Sequence, residues 1–149
     1  MIDGVIVSPR RQIVDERGKV MHMLRSDDPE FRQFGEVYFS WVNPGAIKAW
    51  HLHTEMTLNY TCPHGLVKLV IHDDRDGSPT RGQTMELFLG PENHNLVVIP
   101  PGLWNGVKGI AAYPSAICNC ATLPHRPDEL LRLDPFSERI GYDWSIKHG

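Results

Sequence analysis

At 149 residues the chain is long enough to bury one hydrophobic core and too short for two comfortable ones. Its 15 Lys and Arg face 18 Asp and Glu, a formal net charge of −3, with no basic run that would mark nucleic acid or an anionic membrane as a partner. No stretch approaches the ~20 apolar residues of a membrane span, and the opening MIDGVIVSPRR lacks a signal-peptide apolar centre, so a cytoplasmic protein is expected.

Along the chain, helical periodicity is scarce; short helices are expected only at 28–34 and 128–132. What recurs is a run of four to eight residues rich in Val, Ile, Leu, Tyr and Phe, bounded by Gly, Pro, Asn or Asp. The runs are VYFSWV (37–42), MTLNYTC (56–62), LVKLVIH (66–72), TMELFLG (84–90), NLVVIPP (95–101) and SAICNCATL (115–123). Turn signals separate them at DDRDGSPTRG (73–82), GPENH (90–94) and PPGLWNG (100–106). Short strands at such spacing predict an antiparallel β-sandwich or barrel in place of alternating βα units. With no internal repeat or low-complexity linker, residues 1–149 read as one domain, its tail from Pro124 wrapping the barrel as irregular structure. The acidic pairs of DDRDGSPTRG read as solvated parts of a structural turn. Cys62, Cys118 and Cys120 are odd in number, and the last two sit too close to pair easily; reduced thiols are expected, with Cys118 and Cys120 as small core hydrophobes.

One stretch stands out: GAIKAWHLHTE (45–55) places two imidazoles one residue apart. On a strand, residues i and i+2 share a face, so His51 and His53 point the same way, and Lys48 faces opposite to His51 unless a bulge intervenes. A histidine titrating near neutrality suits proton abstraction, while a packed or solvent-facing strand histidine is the plain alternative. Two imidazoles also suggest a metal. The spacing from Gly45 to His53 fits Gly-x5-His-x-His, the first half of the metal-cupin pattern. That pattern continues with a Glu slightly further on and a later His after Pro-x-Gly. Here Glu55 comes too early and the later position is Asn105, and two imidazoles without a third strong ligand hold a metal poorly; none is expected.

The order of these features resembles the dTDP-4-dehydrorhamnose 3,5-epimerase family of sugar-nucleotide enzymes. The resemblance rests on Asp15-Glu16-Arg17-Gly18, on Lys48 three residues before His51, and on the DDRDGSPTRG turn. It continues through LGPENHNLVVIPPG (89–102) and closes on Asp143-Trp144, so it spans nearly the whole chain. It implies a cupin-type jelly roll, no cofactor, a homodimer formed through the N-terminal strands, and a nucleotide-linked 4-keto-6-deoxy sugar, with dTDP as the nucleotide. In that reading His51 is the base, Lys48 stabilises the enolate and Arg17 meets the diphosphate, for which a guanidinium fork suits phosphate oxygens. Tyr60, on a neighbouring strand, would supply the acid. His53, Trp104, Asn105 and Cys118 would line the substrate pocket.

The chain also departs from the family. Lys48 stands where an Arg is typical, Asn105 where a second histidine follows the Pro-x-Gly, and Cys118 where the family has its tyrosine acid. No lysine matches near Met56 or Thr57, and the aspartate that pairs with the base lies beyond the Asp-Trp. The functional expectation is therefore an epimerase or keto-isomerase. The alternatives are a non-catalytic nucleotide-sugar-binding cupin and a metal-dependent cupin enzyme using the histidine pair.

Overall fold

A computed structural model describes residues 1–148. In chain order the strands begin with β1 (Ile6–Pro9), β2 (Gln12–Asp15), β3 (Gly18–Met21), β4 (Glu36–Val42), β5 (Ile47–His53) and β6 (Leu58–His64). They continue with β7 (Val67–His72), β8 (Thr84–Leu89), β9 (Asn95–Ile99), β10 (Trp104–Gly109), β11 (Ser115–Ala121) and β12 (Leu130–Arg132). Two five-stranded sheets, β1-β9-β6-β11-β4 and β12-β5-β10-β7-β8, face each other as a jelly-roll sandwich, and β2-β3 forms a separate hairpin. All strand pairs within the sheets are antiparallel. The expected all-β class is what the chain adopts.

The sandwich is held by period-two alternation. Leu58, Val97, Ile99 and Ile117 from one sheet meet Leu69, Ile71 and Val107 from the other in a single buried cluster. The second sheet also buries its outer face. Trp50, Val70 and Trp104 project there and are covered by the tail through Trp144, with Ile140 and Tyr142 beside it. The Lys68 and Lys108 ammonium groups donate to the Ser145 and Trp144 carbonyls at 3.5 and 2.7 Å, which pins the tail to β7 and β10.

Neither expected helix forms, and both failures have a physical cause. Residues 28–34 fold as turns and irregular chain because Arg10, reaching in from beyond β1, pairs with Asp28 at 3.1 Å and Glu30 at 2.9 Å. Residues 128–132 divide between a single 3-10 turn at Pro127–Glu129 and β12. The open edge of β5 offers main-chain partners there, and Leu130 and Arg132 register against His53 and His51. Pairing to an edge outweighs a weak local helical preference.

The DDRDGSPTRG turn also departs from expectation. Asp73 is not solvated; it is 0% exposed and sits at the centre of the turn. Its carboxylate accepts from the Arg75 guanidinium at 2.8 and 3.0 Å and from the Ser78 and Thr80 hydroxyls at 2.6 Å each. Arg75 also donates to the Asp3 carbonyl at 2.8 Å, tying the N-terminus to this turn. Asp74 is partnered by Arg139 of the tail at 2.5 Å.

Candidate active site

The space between the sheets opens at one end into a cavity of about 430 Å³. One wall is β5, and its geometry turns on a bulge. His51 lies opposite Asn105 of β10, yet Lys48 lies opposite Val107, so β5 carries one residue more than its partner over this interval. Ala49 and Trp50 both pack on the outer face, and Lys48 swings to the same side as His51 and His53. Gly106 permits this crowding: a Cβ there would collide with that of Ala49.

The two histidines have different partners. The His53 Nδ1 meets the Glu129 Oε1, and Glu129, 2% exposed, is fixed in turn. Its Oε2 accepts from the Glu55 and Met56 amides at 3.2 and 3.1 Å. Because a carboxylate only accepts, the His53 proton is on Nδ1, and in the neutral ring the Nε2 lone pair is free. His51 is arranged the other way round. Its Nε2 accepts from the Arg132 guanidinium at 3.0 Å, which places its proton on Nδ1. Burial, followed by the charges of Arg132, His53 and Lys48, pushes His51 down to about 4.

The Lys48 Nζ donates to the Ser40 hydroxyl at 3.1 Å. Tyr60 was expected on a strand beside the histidines; it stands instead across the cavity, on β6 of the other sheet, with Tyr38 on β4. Burial and the neighbouring Tyr38 hold the Tyr60 phenol well above its usual value, so it keeps its proton at neutral pH. Tyr38 is raised by burial too, and its hydroxyl accepts from the Asn119 amide at 3.0 Å.

The structure thus brings together Lys48, His51, His53, Tyr60 and Asn105 of the residues singled out from sequence. Asn105 is buried, and its side-chain amide donates to the His51 carbonyl at 3.1 Å, bracing β5. Three others lie elsewhere. Trp104 does not line the pocket: strand alternation turns it to the outer face, under the Arg139 guanidinium 5.6 Å away. Cys118 likewise faces away from the cavity, between the pocket-lining Ile117 and the inward Asn119, and pairs in register with Phe39 and Thr61. Arg17 sits on the β2-β3 turn, paired with Asp15 at 2.7 Å, its side chain 87% exposed and outside this cavity.

Glu129, Arg132, Tyr38 and Ser40 were not legible as site residues. Alternation along β4 places Tyr38 and Ser40 on one face, but nothing in the run VYFSWV marks that face over the one that carries Val37, Phe39 and Trp41. No local signal marked Glu129 or Arg132. His64 and His72, which a metal set would have needed, are occupied elsewhere: His64 stacks between Trp41 and Tyr113, and His72 meets the Thr84 hydroxyl at 2.7 Å. Among the described residues no group of three or more His, Cys, Asp or Glu side chains is placed to hold a metal ion.

Residues 1–148 match the model of the family described as dTDP-4-dehydrorhamnose 3,5-epimerase. The chain is 36% identical over 131 residues to a probable low-salt glycan biosynthesis epimerase of Haloferax volcanii, covering 87% of this chain and 81% of that protein. It is 32% identical to the spore coat polysaccharide biosynthesis protein SpsL of Bacillus subtilis, with 99% of each covered. Among solved structures, a dTDP sugar isomerase from Desulfovibrio desulfuricans superposes with a TM-score of 0.93 at 41% identity, covering 96% of this chain and 92% of that one.

Proposed function

The chain belongs to the dTDP-4-dehydrorhamnose 3,5-epimerase family, and on that footing we propose that it epimerises a nucleotide-linked 4-keto-6-deoxy sugar, with dTDP as the nucleotide. One observation carries the reading beyond membership. Lys48 and the two histidines share one wall of the cavity, and Tyr60 stands on the opposite sheet. Inverting a carbon requires a base on one face and a proton donor on the other, and this arrangement supplies both.

The chemistry follows from those side chains. An imidazole takes the proton from the carbon next to the ketone, and the electron pair moves onto the carbonyl oxygen as an enolate. The Lys48 ammonium stabilises that developing charge. The enolate then collapses as the carbon accepts a proton from the opposite face, from Tyr60 or from water at that face. The ketone itself acidifies the C–H, so the step calls for no cofactor. The resemblance assigns the imidazole to His51.

The test is solvent exchange. Incubated in deuterium oxide with dTDP-4-keto-6-deoxyglucose, the protein should place deuterium at C3 or C5, seen as loss of the matching proton NMR signal. Binding of the nucleotide sugar with no exchange above the buffer rate would instead identify a non-catalytic binder.

The reading extends to assembly. The β2-β3 hairpin stands apart from both sheets, with Val14 72% and Val20 58% exposed, and Arg17 at its turn is remote from its own cavity. A homodimer that buries this hairpin and delivers Arg17 to the partner's nucleotide accounts for all three features. Sedimentation should therefore give a dimer at micromolar concentration, and Arg17→Ala should weaken dTDP binding several-fold without unfolding the protein. A monomer with unchanged dTDP affinity in the variant would end this part of the proposal. The three free cysteines suit a reducing cytoplasm, and among the described residues no helix is long and apolar enough to cross a membrane.

A further inference from the structure

We propose that His53, oriented by the buried carboxylate of Glu129, is the base of this reaction, and that His51 is a neutral pocket residue held by Arg132. The inference rests on the epimerase reading and names which imidazole does its work.

Glu129 is built to stay where it is. Its side chain is 2% exposed, and the Glu55 and Met56 amides hold one of its oxygens. Its own carbonyl accepts from the Thr54 amide at 2.9 Å, locking the residue against the end of β5. The other carboxylate oxygen meets the His53 Nδ1. A side chain so fixed cannot swing away, so it sets both the tautomer and the ring plane of His53. In that tautomer the Nε2 carries the lone pair, and His53 lines the cavity. When the ring takes a proton from substrate, the new positive charge forms beside a negative one. A buried carboxylate stabilises an imidazolium in this way without itself accepting the proton.

His51 lacks each of these features. Its Nε2 lone pair is already engaged by a guanidinium. A proton arriving there would have to displace Arg132 and would add a third positive charge beside those of Arg132 and Lys48. The depression of His51 agrees with this geometry: the ring is neutral, and a weak acceptor. What it offers a substrate is a hydrogen bond and a surface.

The proton balance is simple. The substrate C–H gives its proton to the His53 Nε2, and its electron pair becomes the enolate beside Lys48. The proton added at the opposite face comes from Tyr60 or water; before the next turnover His53 gives its proton to solvent, and the phenolate or hydroxide left at the opposite face takes one back.

Three variants of the full chain test the assignment by the deuterium exchange described above, each with its dTDP affinity and melting temperature measured alongside. His53→Ala should lose about 10²–10⁴-fold in exchange rate, the usual worth of general-base assistance, with dTDP affinity nearly unchanged. Added imidazole should restore part of that rate, because the missing group is a base in an otherwise intact cavity. His51→Ala should lose less, mainly in KM, and imidazole should not rescue it. Glu129→Gln keeps the shape of the site and removes the charge; kcat should fall on the order of 10²-fold with KM little changed, because tautomer control is lost. The proposal is overturned if wild type exchanges and His51→Ala is the variant that loses turnover and recovers with imidazole. It is also overturned if Glu129→Gln turns over like wild type, and a wild type that exchanges nothing removes the epimerase reading itself. Should Glu129→Gln melt early, the contrast between the two histidine variants decides alone.

Discussion

Replacing Lys48 by methionine should slow deuterium exchange by about 10²–10³-fold, as loss of one preorganised donor to a developing oxyanion does elsewhere. The expectation rests on position and on the company Lys48 keeps. The bulge at Ala49 and Trp50 carries it into the cavity, where its ammonium meets the neutral Ser40 hydroxyl at 3.1 Å. Its charge is therefore available to a substrate oxygen. Methionine preserves a flexible apolar stem and removes only the charge, so folding and nucleotide affinity should change little and the loss should appear in kcat. Lys48→Arg should retain most of the activity, since the family to which the chain belongs typically carries arginine there. Exchange by Lys48→Met within threefold of wild type would show that the enolate is stabilised by another group.

Asp73→Ala should be the most destabilising change outside the core, at about 3 kcal/mol, because it removes a fully buried carboxylate, leaving the partly exposed Arg75 guanidinium without its counter-charge and two hydroxyls without their acceptor. For a chain of this size that corresponds to a melting temperature roughly 10 °C lower. The same carboxylate predicts how wild type responds to acid. The Arg75 guanidinium, aided by Ser78 and Thr80, holds the Asp73 carboxyl well below the usual carboxylate range against the opposing effect of burial. A depressed folded-state value means the contribution is complete above the unfolded value of about 4 and is lost as pH falls from there through the folded one. Wild type should therefore lose stability steeply in that window, and Asp73→Asn should show a flatter profile by thermal melts from pH 6 to 2. Coincident profiles would mean that the turn contributes nothing to acid lability.

The fold was largely legible because turn-bounded apolar runs report strands directly. Within the candidate site, spacing alone spoke for β5, while Tyr60 and Asn105 on β6 and β10 entered through the resemblance and also line the cavity. His51 and His53 shared a face by period two, and they do share it. The side on which Lys48 falls could not be read, because a bulge is a property of two strands in register and depends on Gly106 of β10 as much as on β5. Trp104 and Asn105 were both expected at the pocket, though adjacent strand residues must face opposite ways; the tail that covers the outer face gives the indole its place. Cys118 followed the same logic, one residue out of phase with Ile117 and Asn119. Glu129 was invisible for another reason: its partner His53 lies 76 residues earlier, and its own neighbourhood has no periodicity. Asp73 looked like one more turn aspartate because charge in a loop usually means water.

The late position of β12 bears on how the protein is made. β12 pairs with β5 alone and lies at the edge of its sheet, so both sheets have their other strands by Ala121. A nascent chain emerging from the ribosome can begin to compact with its two histidines in place and still lack Glu129 and Arg132. Their arrival requires closing a loop of 76 residues, among the slower kinds of contact a chain must make. If His53 works as proposed, with Glu129 beside it, catalytic competence is among the last properties acquired during synthesis, and an edge strand of three residues sets the moment at which it begins.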